Sequence, residues 1–415
     1  MKTDQIQKVH KDWYKLDLSA IVYPTLQRRD FSSVYRLSVL LKEDIDPEIL
    51  QRAVNLTMPR FPTYKAAIRK GVFWRYLEPN DRPGPFVQED VKNPCQPMHF
   101  KGNNRYLVRI YYYRNRIALE AHHSLGDGTG GMCVLQTLTA TYLRLKGHSE
   151  IENGGFVLDI LGIPDPGELE DAYMKYANAK VCPPRPGEKT YRVRGTKEPF
   201  YTLNIIDGIM SVSEVMQVAK SYNATITEYL NSVLLYALMQ KQESEWHLKL
   251  RPVKIAMPVN LRRFFPSRTL RNFITMIYPG IDPRLGEYTF EEIVTQVHNY
   301  MRYYLNEKLL RGDITTNAET QRNPFIRIVP LFIKDLVVRQ FYTKIQDKNS
   351  SAGLTNMGAL KVPETMKPYI ERFDIYMGQP FSTRTNCAIA SFEDTLTINF
   401  ASNIIESDVE RYFFR

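Results

Sequence analysis

The sequence predicts an α/β chain of the two-layer α+β kind, built from two halves of similar make-up. Three observations lead there. Segments alternating apolar and polar residues, the period of half-buried strands, recur in both halves. Between them lie runs with apolar residues at helical spacing behind Asp or Ser caps. A proline- and glycine-rich stretch separates the halves, with Ile163-Pro-Asp-Pro-Gly and Cys182-Pro-Pro-Arg-Pro-Gly, where the missing N–H groups forbid regular ladders. The division read from this is residues 1–160, a crossover linker 161–199, and residues 200–415.

The first half opens with a strand at Val34–Leu41. Asp46-Pro-Glu supplies an N-cap with proline at the first helical position, and Ile49, Leu50, Ala53 and Val54 form the apolar stripe of a helix that ends by Phe61-Pro62. Extended chain follows over Ala66–Leu77. Tyr106–Tyr112 and Ile117–His123 alternate and are joined by Arg-Asn-Arg as a hairpin. A helix over Met132–Leu145 stops at Gly147.

The second half predicts helices at Ser213–Tyr222, capped by Ser213, and at Thr225–Gln240. A strand is expected at Val253–Val259, with long helices at Thr289–Leu310 and Phe325–Ile345. Strands are expected at Phe373–Met377, Cys387–Phe392 and Leu396–Ala401. A last helix begins at Ser407 and the chain stops nine residues into it, which leaves room for a further helix and strand beyond Arg415.

Composition narrows the function classes. The 415 residues carry 43% hydrophobic and 24% charged residues, with 26 Tyr and 20 Phe, which excludes a disordered chain. The most apolar stretch, Ser232–Met239, is too short to span a membrane, and the N-terminus lacks the apolar core of a signal peptide, so a cytoplasmic location is expected. Four cysteines at 95, 133, 182 and 387 lack metal-ligand spacing and read as reduced packing residues. The formal charge of +10 leaves open nucleic acid, a membrane surface, a phosphorylated co-substrate, or a plain solvated surface.

The chemistry concentrates in Ala121-His122-His123-Ser124-Leu125-Gly126-Asp127-Gly128, at the end of a strand and just before a helix. Alternation puts His123 on the apolar face with Ile117, Leu119 and Ala121, and His122 on the other face with Ala118 and Glu120. A neutral His123 can take a proton from a hydroxyl or amine. Asp127 can pair with it or hold the loop through an arginine, and Gly128 offers a backbone N–H at a helix start. Adjacent strand histidines point apart and no third ligand has suitable spacing, so a metal site is not expected. No G-x-S-x-G elbow and no phosphate-binding glycine loop is present.

At these residues the chain resembles the superfamily of coenzyme-A-dependent acyltransferases with the H-H-x-x-x-D-G motif: chloramphenicol acetyltransferase, the plant BAHD enzymes, condensation domains and alcohol acetyltransferases. Phe61-Pro-Thr-Tyr and Lys70-Gly-Val-Phe-Trp-Arg-Tyr-Leu-Glu-Pro-Asn80 look closest to the bacterial alcohol acetyltransferases. Thr225–Leu238, Pro258-Val-Asn-Leu-Arg262 and Leu354-Thr-Asn-Met-Gly358 are similar to condensation-domain segments. Asp374-Ile-Tyr-Met-Gly378-Gln-Pro380 partly matches the BAHD D-F-G-W-G segment but lacks its central Gly and Trp, against a plant-type assignment.

The resemblance implies two chloramphenicol-acetyltransferase-like domains with an active-site tunnel between them. It implies His123 as general base within a catalytic set that includes His122, Asp127 and Gly128, and Arg262 as structural partner of Asp127. It also implies Thr355 and Asn356 near the tunnel, with Gly128 N–H or Thr355 as candidate oxyanion donors. The co-substrate would be acyl-CoA, acetyl-CoA or another short chain, with no permanently bound cofactor, and the acceptor a small alcohol or amine. Two alternatives stay open: an enzyme taking its donor from an acyl carrier protein, and a silent binding scaffold.

Arg262, Arg263, Arg268 and Arg271 form a basic cluster that could meet CoA phosphates; apart from Arg262, a solvated loop is the favoured reading. The Tyr111–Tyr113 and Tyr303–Tyr304 clusters read as core and rim aromatics and not as a nucleic-acid platform. Cys133, on an apolar helix face, reads as packing.

Overall fold

A computed structural model describes residues 13–27, 31–179, 188–199, 202–245, 249–378 and 383–415. Cys182 to Gly187 of the linker and the Gln379-Pro380 end of the BAHD-like segment lie outside these residues. Two large sheets dominate. In the first, the strands run in the order Ile370–Met377, Val34–Leu41, Arg116–His122, Val108–Tyr113, Val87–Glu89, antiparallel except for the last pair. In the second the order is Ile274–Ile277, Val253–Asn260, Ala352–Ala359, Thr385–Phe392, Thr395–Ser402, Asn204–Ser211. Ala352–Ala359 runs parallel to both its neighbours there. Helices pack against the sheets in both halves.

The first sheet is covered on both faces. Every residue of Val34–Leu41 is buried. Leu37 and Val39 enter an apolar core that also receives Leu135 and Leu138 of the helix Gly128–Leu145. On the opposite face Arg36 is buried between Glu120 (Nη2–Oε1 2.9 Å) and Asp90 (Nη1–Oδ1 2.9 Å). A charge in that position requires such partners. Alternation in Ile117–His123 therefore separates an apolar face from a buried polar one.

One strand departs from chain order. Ile370–Met377, far along the second half, is the edge of the first sheet, antiparallel to Val34–Leu41. Its outward backbone groups are met by side chains of the second sheet. Ile375 N–H donates to Asn399 Oδ1 (3.1 Å), and the Phe373 carbonyl accepts from Thr397 Oγ1 (2.8 Å). Tyr376 Oη and Asn399 Nδ2 both donate to Asp207, at 3.0 and 2.8 Å. A sheet edge is thus satisfied without another strand, and the two sheets are joined.

Several elements differ from expectation. Ala66–Leu77 divides into two strands around a turn, Ala66–Lys70 and Arg75–Pro79, in a small sheet completed by Tyr14–Lys15. The hairpin after Tyr113 turns on Arg114 and Asn115 alone, and Arg116 belongs to the next strand. The helix after the motif begins at Gly128, because Asp127 caps it. Ser211, not Ser213, caps Val212–Ser221; Ser213 Oγ instead bonds Ser211 and Asp394. Thr289–Leu310 is two helices, since Asn306 caps a new one over Glu307–Arg322. Phe325–Ile345 is likewise split by Pro330, which lacks the N–H to continue the first helix. Strands Asn204–Ser211, Ile274–Ile277 and Ala352–Ala359 are not anticipated by the sequence patterns.

Asn399→Leu leaves the Ile375 N–H buried without an acceptor, so unfolding in urea should show a loss of about 1–3 kcal/mol. An unchanged midpoint would mean that the inter-sheet bonds contribute nothing.

Candidate active site

Asp127 sits where the strand Arg116–His122 gives way to the helix Gly128–Leu145. Its Oδ1 accepts the N–H groups of Thr129 (3.1 Å) and Gly130 (3.2 Å), capping the helix. Its Oδ2 accepts from Arg262 Nη1 (2.8 Å) and from the Phe273 N–H (2.9 Å). Four donors converge on this carboxylate, which is 2% exposed, two on each oxygen. Arg262 is held as firmly: Nε reaches the Thr269 carbonyl (2.9 Å), Nη2 the Arg271 carbonyl (2.5 Å), and Nη1 also Asn260 Oδ1 (3.2 Å). Asp127 from the first half and Arg262 from the second thus form one buried pair.

Small residues make this approach possible. A Cβ on Gly130 would lie 1.9 Å from the Leu270 carbonyl oxygen, and one on Gly126 2.4 Å from the same atom. The Gly-Asp-Gly-Thr-Gly-Gly run is plain in the sequence, but only the distant loop 260–273 reveals why it must be small.

His123 lies just past the end of its strand, with its N–H donating to the Ser33 carbonyl (2.9 Å). Its ring is stacked on Tyr23 (centroids 4.7 Å apart, 18° between planes) and tilted against Tyr35 (4.6 Å). Burial pushes the imidazolium down to about 4; the Asp127 charge and the nearby polar groups of Asn272 and Gly126 offset only part of this. Nδ1 has no hydrogen-bond partner of good geometry among the described residues. Asn272 Nδ2 bonds the His123 carbonyl (2.9 Å) and the fully buried Asp17 carboxyl (3.0 Å), fixing the backbone beneath the ring. Burial raises the Asp17 pKa, against the opposing pull of Arg271. Tyr23, Tyr35, Asn272 and Asp17 carry no local motif, and sequence reasoning misses them.

His122 is different. It is fully buried, its Nδ1 accepts the Ser124 N–H (3.2 Å), and Phe100 meets it edge-on at 5.5 Å. Burial, followed by the neighbouring His123, pushes its pKa down to about 3. His122 is walled in, whereas His123 is only half-buried.

The segment Leu354–Gly358 belongs to the strand Ala352–Ala359 and approaches the motif through Met357, whose Sδ would lie 3.2 Å from a Cβ on Gly128. Asn356 is occupied otherwise: Nδ2 donates to Thr227 Oγ1 (2.9 Å) and Oδ1 accepts the Gly358 N–H (2.7 Å). Thr355 is half-buried and makes no hydrogen bond to His123 or Asp127. The Gly128 N–H is not used by the Asp127 cap. Among the other candidates, Arg263 and Arg268 are exposed, but Arg271 is buried at 3% and bonds the Lys15 carbonyl, which corrects its reading as part of a solvated loop. Cys133 is buried, its thiol pushed up to about 12 chiefly by burial. Two surface cavities, one beside Glu291 and Tyr300 and one beside Pro266 and Arg268, include none of the motif residues.

No family model and no curated protein sequence matches the chain. Solved structures share its fold. Trichothecene 15-O-acetyltransferase from Fusarium sporotrichioides is 13% identical with a TM-score of 0.61, over 97% of this chain and 93% of that one. The starter condensation domain of rhizomide synthetase, in complex with C8-CoA and Leu-SNAC, is 12% identical with a TM-score of 0.59, over 99% and 94%. Wax ester synthase/diacylglycerol acyltransferase from Marinobacter aquaeolei is 13% identical with a TM-score of 0.55, over 97% of each chain. The chain therefore has the two-domain fold of condensation-domain and CoA-dependent acyltransferase-type proteins.

Arg262→Met strands the Asp127 charge, and chemical denaturation should show a loss of about 3–5 kcal/mol. A second outcome concerns pH. A histidine held below its unfolded value of 6.5 gives stability that is complete above 6.5 and declines as pH falls toward the folded values of about 4 and 3. In His122→Gln, which keeps an acceptor for Ser124, the melting temperature should fall less between pH 6.5 and 4 than in the wild type. Parallel curves would contradict the burial of a neutral His122.

Proposed function

We propose that the protein is an acyltransferase that moves a short acyl group from acyl-CoA to the hydroxyl, or amine, of a small acceptor, with His123 as general base. The observation that carries this reading is the division of labour in the motif. Asp127 is taken up by Arg262 and three backbone N–H groups, while His123, half-buried between two tyrosine rings, is kept neutral by its surroundings. A neutral imidazole is the form that can accept a proton.

In the proposed reaction His123 takes the proton of the acceptor hydroxyl as its oxygen attacks the thioester carbonyl. The carbonyl π electrons move to oxygen, and the Gly128 N–H at the positive end of the helix Gly128–Leu145 is the donor we assign to that oxyanion. Collapse re-forms the carbonyl and breaks the carbon–sulfur bond. The leaving CoA thiolate takes the proton back from His123, which returns the base to its starting state without an acyl-enzyme. Asp127 acts at a distance, by fixing the loop that presents His123.

The fold shared with an acetyltransferase and with a condensation domain solved with C8-CoA supports acyl-CoA as donor. The bacterial alcohol acetyltransferases, to which the Phe61-Pro-Thr-Tyr region is similar, and a cytoplasmic setting complete the reading.

The purified protein, incubated with a panel of acyl-CoAs and alcohols, should release free thiol that a thiol reagent detects. His123→Ala should lower turnover at least about 10²–10⁴-fold while its circular dichroism is unchanged. Because His123 is neutral down to about 4, kcat/KM of the wild type should hold from pH 8 to 5 and fall only below that. Retained turnover in the variant would refute the base assignment, and activity only with a carrier-protein-bound donor would refute the CoA assignment.

A further inference from the structure

The helices Pro324–Ile328 and Leu331–Asn349 carry their polarity inverted relative to an ordinary surface helix. The inward side holds charge. Asp335 receives both Arg75 Nη1 (2.8 Å) and Nη2 (2.6 Å) as well as Thr25 Oγ1 (2.8 Å), and Arg339 Nε donates to the Thr25 carbonyl (2.8 Å). The outward side is apolar: Phe325 is 77% exposed, Phe332 68% and Phe341 57%. Steps of four residues from Phe332 to Leu336, and from Ile333 to Val337 to Phe341, keep these side chains in one stripe. The turn of the neighbouring hairpin extends it, since Leu331 N–H donates to the Val72 carbonyl (2.8 Å) and Val72 and Trp74 are themselves exposed.

Such a surface is expensive in water. Aromatic side chains offer roughly 150–250 Å² each, and soluble monomers rarely leave contiguous apolar patches beyond about 300–600 Å². The surrounding charge indicates what covers it. Lys70, Arg327 and Lys334 lie beside the stripe, while the single carboxylate within residues 324–341, Asp335, is neutralised by Arg75. Lys334 Nζ is anchored on the carbonyls of Phe73 and Arg327 (2.9 and 3.1 Å), which holds this amine at the patch. An apolar stripe rimmed by cations matches the boundary between acyl chains and anionic headgroups, and a chain of net charge +10 is drawn to it.

We propose that this face seats the protein on an anionic lipid bilayer, with the Phe332 stripe and Trp74 in the headgroup–acyl boundary and the basic rim against the lipid phosphates. No helix among the described residues is long and apolar enough to cross a membrane, and the seating is peripheral. Thr25, which holds both Asp335 and Arg339, lies in the turn Tyr23–Leu26, and the Tyr23 ring rests on His123. The inward side of the helix that bears the seated face is therefore tied to the turn whose Tyr23 ring covers His123. The seating itself does not depend on the catalytic reading.

Flotation of the full chain tests this with vesicles of phosphatidylcholine containing about 30 mol% phosphatidylserine, against phosphatidylcholine alone. The wild type should float with the anionic vesicles and less with the neutral ones. The double variant Phe332→Asp/Leu336→Asp, which alters exposed positions and is checked for folding by circular dichroism, should lose at least about tenfold in bound fraction. Tryptophan emission should shift to the blue on vesicle addition in the wild type and not in Trp74→Phe. A wild type that stays below the vesicles, or a double variant that floats equally, overturns the proposal. So does a wild-type dimer in light scattering that the double variant converts to monomer without any vesicle binding, which would assign the face to a second copy.

Discussion

The buried pair between Asp127 and Arg262 is the constraint on which the site depends. Two charges inside a protein are costly unless every donor and acceptor is matched, and here they are: Asp127 accepts four bonds, and Arg262 donates to three carbonyl or amide oxygens besides Asp127. The carboxylate performs two tasks at once. It starts the helix Gly128–Leu145 and clamps the loop 260–273 of the second half onto that start. The tight packing of the Leu270 carbonyl against Gly126 and Gly130 follows from this clamp, because any side chain there would push the pair apart.

From that pairing follows the state of His123. A free carboxylate beside an imidazole would stabilise its protonated form and make it a poor base. With Asp127 already matched by Arg262 and by backbone donors, burial dominates and the ring is neutral. The Asn272 amide links the His123 carbonyl to Asp17, so the backbone under the ring is tied to the N-terminal segment as well. Tyr23 and Tyr35 then flank the ring, and the helix of inverted polarity reaches the same corner through Thr25.

Much of this is legible in the sequence, for local reasons. Asp46-Pro-Glu is a cap whose chemistry lies within four residues and opens a helix as expected, and the helices expected from Thr225 and Thr289 start there, capped by those threonines with Glu228 and Glu292. The His-His-x-x-x-Asp-Gly run and Pro-Val-Asn-Leu-Arg are contiguous too: the first singles out His123 and Asp127, and the family resemblance that both carry adds Arg262. What is not legible is non-local. Nothing within Ile370–Met377 tells that it pairs with Val34–Leu41, more than three hundred residues away. Tyr23, Asn272 and Asp17 are ordinary residues that become part of the site only through tertiary contact. Asn306 and Pro330 are readable as helix breakers, but the apolar periodicity on either side obscures them. The Leu331–Asn349 helix shows the limit of periodicity itself: a stripe tells that a face is apolar, and not whether it points inward.

The central claim is direct transfer, with a neutral His123 moving one proton and no bond formed between protein and acyl group. The most direct measurement combines thiol release with intact-protein mass spectrometry during turnover of an acyl-CoA. The expected result is CoA release that requires the alcohol or amine acceptor, with the protein mass unchanged throughout. Acceptor-independent release of one equivalent of CoA, with a protein heavier by the acyl group, would contradict it.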